Sequence, residues 1–195
     1  MKKMWMIGLA MLGATLLMLS GAAVASEVPA PVFEEQGPPE QSSPAPEITY
    51  NEHGMPRIPD FTLPGSEGAE LTLSSLLGKK IILNFWASWC PPCQAEMGDF
   101  QRFYMEKVLE GGPYALLSIN LADGVQETRE KSAQFMQEHA YTFPVYYDET
   151  GMVFSMFSNG SIPVTVVVDE EGFLVNGVIG MTNYETIVAM LGDAE

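Results

Sequence analysis

Apolar residues run almost unbroken through Ile81-Ile82-Leu83-Asn84-Phe85-Trp86-Ala87 and again through Val164-Thr165-Val166-Val167-Val168. Runs this short and continuous predict strands buried on both faces, and the β-branched content of the second strengthens that reading. Pro163 precedes the second run, a position where a strand tolerates proline. Residues 114–120 and 143–147 predict two more strands between them. Glu170-Glu171-Gly172 is a turn that leads into a strand over 173–179. Ahead of all these, residues 58–63 and 71–73 flank Gly65 and Gly68, which predicts an N-terminal β-hairpin, followed by one helical turn at 74–77.

Helical spacing appears in three places. Met97, Phe100, Phe103, Tyr104 and Val108 recur at steps of three and four, so an amphipathic helix should open near Pro92, where the missing donor is tolerated, and stop at Gly111-Gly112. Asp123 with Gln126 has the form of a capping box for a helix over about 125–139, with Phe135 and Met136 inward. Thr182 with Glu185 has the same form for a last helix through Leu191. A short helix is expected at 151–157, and methionines at helical spacing are read as core. Strands and helices alternate in the middle and the chain closes on a hairpin and a helix. The expected class is α/β, with a central mixed sheet and helices on both faces.

The pattern differs before residue 58. Lys2 and Lys3, an apolar stretch from Met4 to about Leu19 and the small residues of Ala23-Val24-Ala25 form an export signal over residues 1–25. An uncleaved anchor is the alternative, because the uncharged stretch from Met4 to Val24 approaches the ~20 residues that span a bilayer. Residues 26–57 are rich in Pro, Glu, Ser and Gln and read as an extended linker. The folded domain is expected over 58–195. Export places that domain in an oxidising, extracytoplasmic space. A net charge of −16 without a basic cluster argues against nucleic acid or anionic lipid headgroups as partners.

Candidate chemistry is concentrated in Trp89-Cys90-Pro91-Pro92-Cys93, which holds both cysteines of the chain. A buried strand that delivers Cys-x-x-Cys to a helix start reads as a thiol–disulfide redox site. Cys90, at the helix N-terminus, is the expected nucleophile, because the helix dipole favours its thiolate; Cys93, one turn inside, is the resolving thiol. A purely structural bridge would close a loop of about four residues for only ~2 kcal/mol. A zinc site would need two more ligands, and His53 and His139 have no suitable spacing. Trp89 is expected to offer flat contact surface beside the sulfur and Trp86 to be core.

The stretch from Asn84 to Met97, Asn-Phe-Trp-Ala-Ser-Trp-Cys-Pro-Pro-Cys-Gln-Ala-Glu-Met, resembles the active-site segment of the TlpA/ResA-like thioredoxin family, grouped with the redoxins and related to AhpC/TSA proteins. The resemblance covers about residues 58–191 and implies a thioredoxin fold with a central insertion over 125–147. It implies that Ile162-Pro163 is a cis-proline loop that, with Trp89, Pro91 and Pro92, contacts partner backbone. It also implies that Glu96 is the acidic partner of the cysteines, since Asn84 stands where cytoplasmic thioredoxins carry a buried Asp. Val164 and Gly98 depart from the family's usual Thr and Pro.

The function implied is reduction of disulfides in client proteins, for example in cytochrome c maturation, with a membrane electron donor and no cofactor beyond the cysteine pair. A peroxiredoxin-type peroxidase is one alternative, but its Pro-x-x-x-Thr-x-x-Cys pattern would need Pro and Thr where Leu83 and Ala87 stand. A peptide-binding module without catalysis is the other.

Overall fold

The computed structural model describes residues 48–192; the expected export signal and most of the expected linker lie outside the described residues. Among the described residues no helix is long and apolar enough to cross a membrane. The strands are β1 (Thr62–Pro64), β2 (Glu70–Thr72), β3 (Lys80–Trp86), β4 (Tyr114–Asn120), β5 (Val145–Tyr147), β6 (Val164–Val168) and β7 (Leu174–Ile179). The α-helices are α1 (Pro91–Phe103), α2 (Arg129–Glu138) and α3 (Tyr184–Met190). β1 and β2 form the expected hairpin, and the other strands make one sheet in the order β5-β4-β3-β6-β7. β3, β4 and β5 run parallel, while β6 and β7 are antiparallel to their neighbours. This is the mixed sheet of a thioredoxin fold.

Alternation along β3 divides the core. Ile81, Leu83 and Phe85 face a cluster with Leu63, Leu73 and Val153. Ile82 and Trp86 face the other side, where α1, α2 and α3 contribute Met97, Phe135 and Ile187. The three α-helices share this face, and the helices of the other face expected from the sequence are short 3₁₀ ones. The chain steps outward from β3 to β4 to β5 in one direction, and two right-handed crossovers in succession put both connecting helices on the same side. The opposite face is covered by the hairpin and by 3₁₀ turns at Leu73–Leu76 and Phe154–Met156.

Asn84 faces the helical side, level with Ser118 of β4 and Thr165 of β6 in the strand register. These polar residues are all buried and form a row across three strands beneath α1. Trp86 belongs to the core as read from the sequence, and its indole N–H donates to Ser118 Oγ at 2.8 Å. Among the methionines, Met97, Met136 and Met190 are buried, but Met105 is exposed.

Three boundaries differ from the sequence reading. Order begins before Ile58: Asn51 Oδ1 accepts from the N–H groups of His53 and Met55, and Leu174 N–H donates to Pro56 O at 2.9 Å. α2 starts at Arg129 with Thr128 as its cap, because Asp123 spends its carboxylate on a turn over residues 123–127. Such local side-chain bonds compete with helix formation. α3 is capped by Asn183, whose Oδ1 accepts from Thr186 N–H at 2.9 Å, while Thr182 N–H donates to Glu96 Oε2 at 2.9 Å.

Beyond Phe103, α1 widens into a π-helical turn, Tyr104–Val108, in which Leu109 N–H reaches back to Tyr104 O. Arg102 stacks over the Tyr184 ring at 3.7 Å and Tyr184 donates to Glu106, which ties α1 to α3. Gly98 lies mid-helix, and a Cβ built there comes no closer than 4.0 Å to its neighbour, Tyr141 Oη. Gly98→Ala is therefore expected to stabilise the fold by about 0.5–1 kcal/mol, read as a higher urea midpoint. An unchanged or lower midpoint would show that the helix needs glycine at this point.

Candidate active site

Parallel β3 and β4 end side by side, with Leu121 N–H donating to Trp86 O at 3.0 Å, and the chain leaving β3 turns through residues 87–90 into α1. Such crevices beyond the carboxyl ends of parallel strands are where open α/β sheets bind ligands. Cys90 caps α1 and its Sγ accepts from Cys93 N–H at 3.3 Å. Pro91 and Pro92 follow within the first turn, where a missing N–H costs nothing. Cys90 and Cys93 are joined in a disulfide, with their Cα atoms 5.2 Å apart. Both cysteines are buried, Cys93 completely, while Cys90 keeps 3% of its surface exposed.

The other predicted residues fall into two groups. Trp89 is 45% exposed, and Pro91 and Pro92 are exposed beside it. The Ile162–Pro163 peptide is cis, with Ile162 half-buried and Pro163 buried. Phe85 pairs with Val164, which puts Pro163 at the same end of the sheet as the cysteine turn. Pro163 O accepts from Gly180 N–H at 2.8 Å, and two residues further on the chain reaches the base of the site.

That base is Glu96, one turn beyond Cys93 on α1 and fully buried. Its Oε1 accepts from Asn84 Nδ2 at 2.8 Å and its Oε2 from Thr182 N–H at 2.9 Å. Asn84 Nδ2 also lies 3.2 Å from Thr165 Oγ1. Burial raises the Glu96 carboxyl from 4.5 to about 7; the Thr182 N–H and the Asn84 amide pull it back, and Asp99 adds a smaller push upward. Asn84 therefore serves as a hydrogen-bond partner of the carboxylate on α1. Thr182 carries no local sequence signal for this role, because its partner lies 86 residues away.

The sequence reading also misses Glu127, a second fully buried carboxylate, bonded to Ser88 just ahead of Trp89. The available signal was its place in the loop that follows β4 at the crevice. Among the described residues no group of His, Cys, Asp or Glu is arranged to hold a metal ion.

A paired dithiol and disulfide at a helix N-terminus exchanges with other thiols and disulfides, and the sheet presenting it is the thioredoxin fold. The protein is a thiol–disulfide oxidoreductase of that class. The AhpC/TSA family model matches residues 56–176, and the chain belongs to that family. The thiol-disulfide oxidoreductase ResA of Oceanobacillus iheyensis is 34% identical over 139 residues, covering 69% of this chain and 69% of that one. The crystal structure of the exposed lipoprotein thioredoxin of Streptococcus pneumoniae strain TIGR4 is similar at TM-score 0.61 and 30% identity, covering 70% of this chain and 100% of that chain. StoA from Bacillus subtilis is similar at TM-score 0.59 and 28% identity, covering 68% and 96% respectively. The TlpA/ResA-like character expected from the active-site segment agrees with these relatives.

Proposed function

We propose that the chain is an exported protein-disulfide reductase acting outside the cytoplasm. The Cys90 thiolate attacks a disulfide of a client protein; the client S–S bond breaks and a mixed disulfide forms. Cys93 then loses its proton and attacks Cys90 Sγ, which releases the second client thiol and leaves the Cys90–Cys93 disulfide. Two electrons pass to the client, and its two departing thiolates take their protons from solvent. Glu96, one turn from Cys93 and poised near neutral pH, is the group that takes the Cys93 proton. Trp89, Pro91, Pro92, Ile162 and Pro163 contact the client backbone around the attacked bond.

The observation that carries the direction is the absence of positive charge among these residues, together with the buried Glu96 carboxyl at their base. Strong dithiol oxidants owe their potential to a stabilised reduced form. Here a carboxylate stands behind the pair and opposes thiolate formation, which favours the disulfide and makes the dithiol reducing. The N-terminal export signal supports the location. A reductant working in an oxidising space needs resupply, so an electron donor in the membrane resets the pair; cytochrome c maturation is the client pathway that the TlpA/ResA-like family suggests. Equilibration with glutathione or thioredoxin tests the direction. The expected potential is at or below about −270 mV, that of thioredoxin, and a value near about −120 mV, that of a strong oxidant, reverses it.

A further inference from the structure

Exchange between Cys90, Cys93 and a client makes no use of Glu127, yet Glu127 is 0% exposed at the same end of the sheet. Its Oε2 accepts from Ser88 N–H at 3.1 Å and Ser88 Oγ at 2.7 Å, and its Oε1 accepts from Asn120 Nδ2 at 3.1 Å. All three partners are donors, and the carboxylate acts only as acceptor. Taking a carboxylate out of water is costly unless its bonds are made, and here three donors make them.

The loop is organised to make the placement. Asp123 Oδ1 accepts from the N–H groups of Val125, Gln126 and Glu127 at 2.8, 2.8 and 2.9 Å, and Gly124 N–H donates to Glu127 O at 2.9 Å. Lys131 Nζ closes the turn on Gln126 O at 2.7 Å. On the receiving side, Ser88 is held at three atoms: its N–H and hydroxyl by Glu127 and its carbonyl by Gln94 Nε2 of α1. Trp89 and Cys90 follow immediately, and Cys90 N–H donates to Ala87 O at 3.2 Å across the same turn.

We propose that Glu127 is a positioning residue of the dithiol site: by holding Ser88 it fixes the turn that carries Trp89 and Cys90 and biases the pair toward the disulfide. The inference rests on thiol–disulfide exchange at Cys90 and is independent of the direction of electron flow. A disulfide across so short a loop tolerates few backbone arrangements, whereas the dithiol tolerates many. Freeing Ser88 therefore enlarges the dithiol ensemble more than the disulfide ensemble.

The reaction to follow is disulfide plus two glutathione thiols giving dithiol plus one glutathione disulfide, with the oxidised fraction read by alkylation and mass. In the full chain, Glu127→Ala is expected to move this equilibrium about tenfold toward the dithiol, the scale of one charge-assisted hydrogen bond. Ser88→Ala moves it the same way by less, since the backbone N–H remains bonded. Glu127→Gln returns it to within about threefold of the parent. The glutamine carbonyl keeps Ser88, and its amide N–H can meet Asn120 Oδ1, a buried atom without a partner among the described residues, once the Asn120 amide turns over.

An equilibrium within about twofold of the parent in folded Glu127→Ala and Ser88→Ala overturns the proposal. A Glu127→Gln shift as large as that of Glu127→Ala also overturns it, because charge and not position would then be the cause. If Glu127→Ala does not fold, an equilibrium within about twofold of the parent in Ser88→Ala, or a Glu127→Gln shift beyond about threefold, overturns the proposal. Failure of the parent itself to equilibrate with glutathione is a separate result and would overturn the exchange chemistry as well.

Discussion

Cys93→Ser, reduced and mixed with a disulfide-containing peptide, is expected to accumulate a mixed disulfide through Cys90, while Cys90→Ser is expected to form none. The asymmetry follows from access. Cys90 sits at the helix N-terminus and keeps a small exposed area, and Cys93, one turn inside, has none. A client sulfur can reach the first and cannot reach the second without opening the turn. Once the client is attached, release depends on Cys93, which lies one turn away with Cα atoms 5.2 Å apart, close enough to close the ring. Each substitution removes a group from the reacting set, so turnover should fall by on the order of a thousandfold or more in both variants, through different steps. Intact-mass measurement distinguishes them. An adduct on Cys90→Ser and none on Cys93→Ser would reverse the two roles, and adducts on neither would remove the dithiol from catalysis.

Strands β3, β4 and β6 were legible because burial on both faces leaves a nearly continuous apolar run, and that signal is local. The Cys-x-x-Cys pair was legible for the same reason: strand, turn and helix start are adjacent in the chain. What the sequence did not disclose depends on contacts between distant segments. Thr182 donates its N–H to a carboxylate 86 residues earlier, so the feature that looked like a helix cap belongs to the site and Asn183 does the capping. Asp123 offered the same ambiguity: one side-chain oxygen accepting several N–H groups suits both a helix cap and a turn. Only the inward path of Glu127 decides between them. The placement of all three α-helices on one face follows from strand order, which local periodicity does not encode.

Glu96→Gln should change the pH dependence of both stability and reactivity, and the sign of each follows from one carboxyl. In the folded state it is raised from 4.5 to about 7, first by burial. Between those values the folded protein keeps a proton that the unfolded chain has already released. The stabilisation is fully present below about 4.5, falls as pH rises through the window and is gone above about 7. Glutamine has no proton to release, so the stability difference between variant and parent should move by about 2–3 kcal/mol in favour of the variant from pH 5 to pH 8. Urea denaturation of both proteins at the two pH values reads this change, and any constant offset from altered hydrogen bonds cancels. The surroundings suit a carboxyl that holds and releases a proton. Asn84 Oδ1 and Thr182 Oγ1 are buried without partners among the described residues, and each belongs to a residue already bonded to Glu96, so the protonated form has acceptors near at hand. The same proton accounts for reactivity: a base that is ionised above about 7 and one turn from Cys93 can take the thiol proton there and not below. The rate of thiol alkylation in the parent should therefore bend near neutral pH, and the bend should vanish in Glu96→Gln. Identical alkylation profiles would separate the two effects and leave Glu96 as a buried carboxyl that costs stability without serving the cysteines.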